Sequence, residues 1–161
     1  MKQQQFLHLA CVEQWTYDEI SKKIGVDRKN FKIWWEELKP ERDHITQIRT
    51  LYNRKKFKKV KFPEFYEWVQ NHPKQCHYCD ITEEMIKELL ESGKLETKRI
   101  KTRGKKLELE RQEPNEPYDN LDNLVWSCYF CNSSKSDVFS PGEFKEIGEV
   151  IKGIWKERLK K

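Results

Sequence analysis

Apolar residues recur at three- and four-residue spacing through the first forty positions, the period of helices that bury one face. Leu7, Cys11 and Trp15 fall on one stripe of a helix predicted over residues 4–15. Thr16 followed by Glu19 is a capping-box signature that starts a second helix, running to about residue 23. Gly25 interrupts the pattern and Val26 resumes it. Asp27 can cap a third helix with Phe31, Trp34 or Trp35, and Leu38 on its buried face, and Pro40 argues against much further continuation. Ile45, Ile48, Leu51 and Tyr52 have helical spacing again, and Pro63 suits the first turn of a short helix presenting Phe65, Tyr66, Trp68 and Val69.

The pattern changes after residue 73. Thr82 precedes a helical stripe of Met85, Ile86, Leu89 and Leu90, which Gly93 is placed to stop. Then Leu107 and Leu109 alternate with Glu108 and Glu110, the mark of a half-buried strand. The segment LETKRI, a polar turn around Gly104 and LELER predict a two-stranded hairpin. Ser140, Pro141 and Glu143 open a last helix, whose stripe runs through Phe144, Ile147, Ile151, Ile154 or Trp155, and Leu159, although Gly148 and Gly153 weaken it. The expected fold class is α+β. Residues 1–40 form a helix-turn-helix-like module, 41–73 a basic linker and bracing helix, 74–139 a metal-stapled core, and 140–161 a packing helix.

Charged residues make up 37% of the 161 and apolar ones 36%, with six Trp, six Tyr and eight Phe. Such aromatic content excludes a disordered polyelectrolyte. The net charge of +5 is modest, so its clustering at 54–61 and 98–106 matters more. No apolar run has transmembrane length and the first residues lack a signal-peptide core, which points away from a membrane.

Chemistry concentrates in two C-x-x-C pairs, Cys76-His77-Tyr78-Cys79 and Cys128-Tyr129-Phe130-Cys131. Together they can give four thiolates to one tetrahedral metal, most plausibly zinc, the alternatives being two disulfides or buried free thiols. Five cysteines with four spaced for metal fit a reducing, cytoplasmic compartment. Cys11, the fifth, reads as a small buried hydrophobe.

The order C-x-x-C, acidic strand end, Asn-rich loop, C-x-x-C-N and Lys three residues on, carried mainly by LELERQEPNEPYDNLDNLVWSCYFCNSSKSD, resembles the HNH, or ββα-metal, endonucleases. The likeness is to their zinc-stapled kind and covers about residues 74–139. It implies a metal-dependent DNA endonuclease in which structural zinc is separate from a catalytic Mg²⁺ or Mn²⁺ held by Glu110, at the end of the second hairpin strand, and Asn132. Asn120 or Asn123 would support the active-site loop, with Asn115 a weaker match. Two positions depart from the usual pattern: Glu110 stands for Asp, and Arg111 for the histidine that deprotonates water. Arginine cannot act as that base but can bind phosphate. His77, Glu113, Asp119 and a metal-bound water are the candidate bases, and none is compelling.

Several basic side chains are expected at DNA. The spacing Ile20, Ser21, Ile24, Gly25, Val26, Phe31, Trp34 resembles a helix-turn-helix, with Arg28, Lys29, Asn30 and Lys32 facing a groove, although a plain three-helix packing module would use the same turn. Arg54, Lys55, Lys56, Lys58 and Lys59 lie in a run that could be strand, helix or extended arm. Lys98, Arg99, Lys101, Arg103, Lys105 and Lys106 form a basic finger, and Lys135 joins them as a phosphate contact. The leading function is thus a DNA endonuclease, and the alternative a catalytically silent, zinc-stabilised DNA-binding protein. The last helix is expected to wrap back onto the metal core, with homodimerisation through it as the rival.

Overall fold

A computed structural model describes residues 1–98 and 103–160. The chain divides into two compact units, Met1–His72 and Pro73–Lys161. Among the described residues no helix is long and apolar enough to cross a membrane.

The first unit is helical: α1 (Lys2–Cys11), α2 (Tyr17–Ile24), α3 (Lys29–Glu37), α4 (Lys39–Lys55) and α5 (Phe62–Asn71). The capping box forms as expected, with Thr16 Oγ1 accepting from Glu19 N–H and the Glu19 carboxylate accepting from Thr16 N–H. Gly25 takes the left-handed conformation that ends α2, at φ 62°, and Ser21 Oγ donates to Val26 O across the turn at 2.7 Å. Asp27 Oδ1 accepts from Lys29 N–H as α3 begins. Phe6 stacks on Phe31 at 4.5 Å, and both are buried with Leu9, Ile20 and Ile24. Each buried ring of this kind contributes about 1.5–3 kcal/mol from water exclusion.

Three boundaries differ from the sequence reading. The first helix stops at Cys11, and Gln14 turns the chain at φ 60°, so Trp15 leaves the Leu7–Cys11 stripe and is exposed. The third helix stops at Glu37 as expected, but Pro40 then occupies the first turn of α4, which begins after Leu38 alone. The segment 41–73 is mostly the body of α4 and α5. Arg49 joins three helices here, donating to Cys11 O and lying 3.7 Å from the centre of the Phe62 ring. The basic run is a helix end and a loop: Lys56 caps α4 in the left-handed region, and Phe57 stacks on Tyr52 at 5.0 Å.

The second unit contains α6 (Glu83–Glu91), β1 (Glu108–Arg111), β2 (Leu124–Ser127), α7 (Tyr129–Lys135) and α8 (Pro141–Leu159), with a 3₁₀ turn at Leu121–Asn123. The strands pair antiparallel, Glu108 opposite Ser127 and Arg111 opposite Leu124. This corrects the expected hairpin. LELER is its first strand, paired forward with LVWS, so Glu110 lies on the first strand and the Asn-rich loop is the hairpin connection. Residues 95–98 carry no strand, and 99–102 lie outside the described residues. LELER alternates and is legible as a strand, whereas its partner LVWS is buried at every position and carries no alternation to mark it.

The last helix starts with the expected Ser140–Glu143 capping box and packs within this unit, Phe144 edge-on to Tyr78 at 5.0 Å and Trp155 against Phe130 at 5.4 Å. Gly148, which looked like a weakness, is where the helix meets Tyr78. A β-carbon there would lie 2.5 Å from the Tyr78 carbonyl oxygen, whereas one at Gly153 would meet nothing within 4 Å. Gly148→Ala should therefore destabilise the second unit by about 1–3 kcal/mol through overpacking. Gly153→Ala should stabilise it by about 0.5–1 kcal/mol through helix propensity. Urea unfolding of the two variants beside the parent measures both signs.

Candidate metal centre and the strand–helix face

Cys76, Cys79, Cys128 and Cys131 are all buried, and their sulfurs lie within 4.8 Å of one another. The segments that carry them are locked in place by backbone hydrogen bonds. Cys76 N–H donates to Ile81 O, Asp80 N–H closes back on Cys76 O, and Asp80 takes φ 58° to complete the turn. His77 N–H donates to Trp126 O at 2.8 Å, fastening the first pair to β2. Cys128 is the N-cap of α7, its sulfur accepting from Cys131 N–H at 3.4 Å.

The Cys79 and Cys128 sulfurs are 3.8 Å apart. That is far beyond a disulfide bond but matches the edge of a sulfur tetrahedron around zinc, about 3.8 Å for metal–sulfur bonds of about 2.3 Å. All four cysteines are free thiols, so the disulfide alternative falls. Hydrogen bonds from Cys128, Cys131 and Cys79 hold the Cys76 thiol far below its ordinary range, while the hydrogen bond with Cys128 pushes Cys131 far above it. The donor set suits a soft, tetrahedral cation, and the four cysteines are positioned to bind one.

Helix α7 carries the cysteine ligand Cys131 and, one and four residues on, Asn132 and Lys135. It packs against β1. Alternation on the strand puts Glu108 and Glu110 on one face, and the helix matches them in order. Asn132 Nδ2 donates to Glu108 Oε2 at 2.7 Å. Lys135 Nζ lies 3.6 Å from Glu110 Oε1. Glu110 also accepts from the Tyr78 hydroxyl at 3.2 Å. Burial raises the Glu110 pKa, opposed by the nearby Ser127 hydroxyl, the Lys135 charge and the Tyr78 hydroxyl. The same burial, with Glu110 beside it, raises the phenol of Tyr78. Among the described residues, Glu110 Oε2 and Lys135 Nζ are buried without a hydrogen-bond partner.

Thus Asn132 contacts Glu108, not the carboxylate with which it was expected to converge. Lys135 corrects the sequence reading outright: with 0% of its side chain exposed it cannot be a surface phosphate contact, and it serves as the counter-ion of Glu110. Glu108 and Tyr78 were missed as site residues. For Glu108 the signal was present, since strand residues i and i+2 share a face, whereas Tyr78 lies in a turn between two cysteines and no periodicity marks it.

The hairpin loop is fixed by its asparagines. Asn123 is buried, with Oδ1 accepting from Glu113 N–H at 2.8 Å and Nδ2 donating to Glu113 O at 3.0 Å. Asn120 Oδ1 accepts from Asp122 N–H, and its amide donates to the Glu116 carboxylate. Arg111 leads into the loop, donating to Glu116 O at 2.9 Å and lying 4.7 Å from the centre of the Tyr118 ring. Of the candidate bases, Glu113 is exposed and Asp119 half-buried, while burial lowers the His77 pKa.

Among the basic residues of the first unit, Arg28 pairs with Asp18 at 2.8 Å and Lys29 with Asp27 at 3.6 Å, while Asn30 Nδ2 donates to Asp27 O. Lys32 is exposed, as are Arg54, Lys56, Lys58 and Lys59, with Lys55 half-buried. Exposed pairs of this kind contribute little to stability and exchange readily for other anions. In the second unit Lys98, Lys105 and Lys106 are exposed. Arg103 grips both oxygens of Glu108, at 2.8 and 2.6 Å, and sits 4.9 Å from the centre of the Tyr129 ring. Arg99 and Lys101 lie outside the described residues.

The cage predicts about one equivalent of tightly bound zinc in the purified chain, read by elemental analysis. Cys79→Ser or Cys128→Ser should lose that metal and cooperative unfolding of the second unit, since each cysteine pair sits on a different segment. Unchanged thermal unfolding after verified zinc removal would make the cysteines ordinary core residues.

No family model matches the chain, and no curated protein matches it. A solved structure does: the rare-cutting HNH restriction endonuclease PacI, described for its perturbation of DNA, is similar with a TM-score of 0.51 and 24% identity, over 70% of this chain and 77% of that one. The likeness is one of fold, and with the cysteine cage it makes this an α+β chain that resembles an HNH nuclease.

Proposed function

We propose that the chain is a metal-dependent DNA endonuclease, hydrolysing phosphodiester bonds with one structural zinc and a separate divalent catalytic ion. The observation that carries the reading is the face beside the cysteine cage. There a buried carboxylate oxygen of Glu110 has no hydrogen-bond partner among the described residues, and Asn132 stands on the adjoining helix. An orphaned buried carboxylate oxygen is costly unless a cation or donor completes it. Glu110 and Asn132 would hold the ion through oxygen, a hard donor set that suits Mg²⁺ or Mn²⁺. The ion would supply Lewis-acid polarisation of the phosphate and stabilisation of the leaving oxygen. Arg111, tethered to the loop that Asn123 fixes, is a phosphate ligand in this reading. The likeness to PacI, an HNH restriction endonuclease, supports it.

Specific observations favour a second reading, a silent zinc-stabilised DNA-binding protein. Glu110 already faces the Lys135 ammonium, and the position of the usual histidine holds an arginine. A cleavage assay separates the two. With Mg²⁺ or Mn²⁺ and a panel of duplex, nicked and branched DNA, the wild type should cut. Asn132→Ala should abolish cutting with zinc content and DNA affinity retained; Glu110→Gln should abolish it too, with zinc content and thermal unfolding measured alongside because it leaves the Lys135 ammonium unpaired. Arg111→Ala should slow turnover by about 10²–10³-fold, the scale of losing one transition-state donor. Zinc-dependent DNA binding without cleavage on any substrate or metal would select the silent reading.

DNA binding itself is tested by salt. We take the exposed basic run of the first unit as a phosphate-contacting surface. Neutralising Lys55, Lys56, Lys58 and Lys59 together should flatten log affinity against log salt by about 0.9 per lost duplex phosphate contact. An unchanged slope would assign these lysines to solvation.

A further inference from the structure

Glu108 belongs to no role given so far, yet it is the most heavily engaged carboxylate of the strand–helix face. Both its oxygens are gripped by Arg103, and Oε2 also accepts from the Asn132 amide at 2.7 Å. The Arg103 guanidinium is braced by its packing over the Tyr129 ring, and its pKa is raised by the hydrogen bonds to Glu108, as expected beside an ionised carboxylate. An ionised carboxylate only accepts hydrogen bonds, so the end of the Asn132 amide that faces it must be the NH₂. The carbonyl end, Oδ1, is thereby turned away from Glu108.

We infer that Glu108 is a positioning residue that fixes the orientation of the Asn132 amide, presenting Oδ1 and not Nδ2 to the divalent ion. This rests on the reading of Glu110 and Asn132 as ligands of that ion. An amide is a cation ligand through its oxygen alone, and a free side chain offers either end. Fixing one orientation removes a competing arrangement before the ion arrives, as carboxylates do when they hold the far side of a ligating imidazole. The sequence Tyr129–Arg103–Glu108–Asn132 is then a brace running from a ring on α7, through the strand, back to the ligand on the same helix.

The test is direct Mn²⁺ binding to the zinc-loaded full chain, followed by electron paramagnetic resonance without DNA. Asn132→Ala sets the background. Glu108→Ala should weaken Mn²⁺ binding by about 10- to 100-fold, the range for losing a partner behind a ligand. Glu108→Gln, whose carbonyl can still accept from the amide, should keep most of the affinity. The decisive arm is Asn132→Asp, because a carboxylate has no wrong end. In that background Glu108→Ala should cause no loss. Zinc content and thermal unfolding, measured on each variant, identify any that fail to fold.

If Asn132→Ala weakens Mn²⁺ binding but Glu108→Ala leaves it unchanged, the positioning role is overturned and the ion site stands. The role is also overturned if Glu108→Ala costs as much in the Asn132→Asp background as in the wild type, or if Glu108→Ala and Glu108→Gln lose equally. A wild type that binds Mn²⁺ no better than Asn132→Ala removes the ion site itself.

Discussion

Four thiol side chains drawn to within 4.8 Å are the constraint on which the second unit depends. As thiolates they would repel at that separation, and a soft tetrahedral cation is what such a cluster is positioned to bind. What the cation joins is specific: a tight turn before α6 and the first turn of α7. Between them the chain makes a helix and both strands of its sheet. Closing a loop of that length is entropically costly, and so small a sheet cannot offset the cost by itself. Cys128 and Cys131 hold the start of α7 at the cage, and the helix packs across β1.

That placement brings the helix onto two carboxylates. Glu108 is partly open to solvent and satisfied by an arginine and an amide. Glu110, two residues on, is buried beside the ammonium of a lysine that is itself fully enclosed. Burying such a pair is poor value for stability, since desolvation takes back much of the attraction. Removing either partner alone is worse still, because the other charge is stranded. The pair therefore constrains which residues positions 110 and 135 tolerate, whatever chemistry the face performs.

Much of this was legible. Capping boxes at Thr16 and Ser140, the helix stop at Gly25 and the cysteine spacing are local signals, and local signals survive folding because they depend on neighbours in the chain. The hairpin was misread because residues 95–100 and 124–127 offered rival partners for LELER, and only tertiary packing chooses between them. Lys135 looked like a phosphate contact because lysine is rarely buried; nothing in the residues around it announces a carboxylate from a distant strand. Asn132 stands out in the sequence directly after Cys131, but its contact with Glu108 depends on how the helix lies on the strand.

Gly148 has a reach well beyond its own turn of helix. The backbone of Tyr78 meets the helix at this glycine, while the hydroxyl of the same tyrosine holds the Glu110 carboxylate. A shift of the Tyr78 backbone moves the root of the side chain whose hydroxyl meets Glu110. A single added methyl on the outer helix would thus be transmitted, through one aromatic lever, to the electrostatics of a carboxylate it never touches. The last helix sets a fulcrum for the face, and the absence of a side chain at 148 is its calibration.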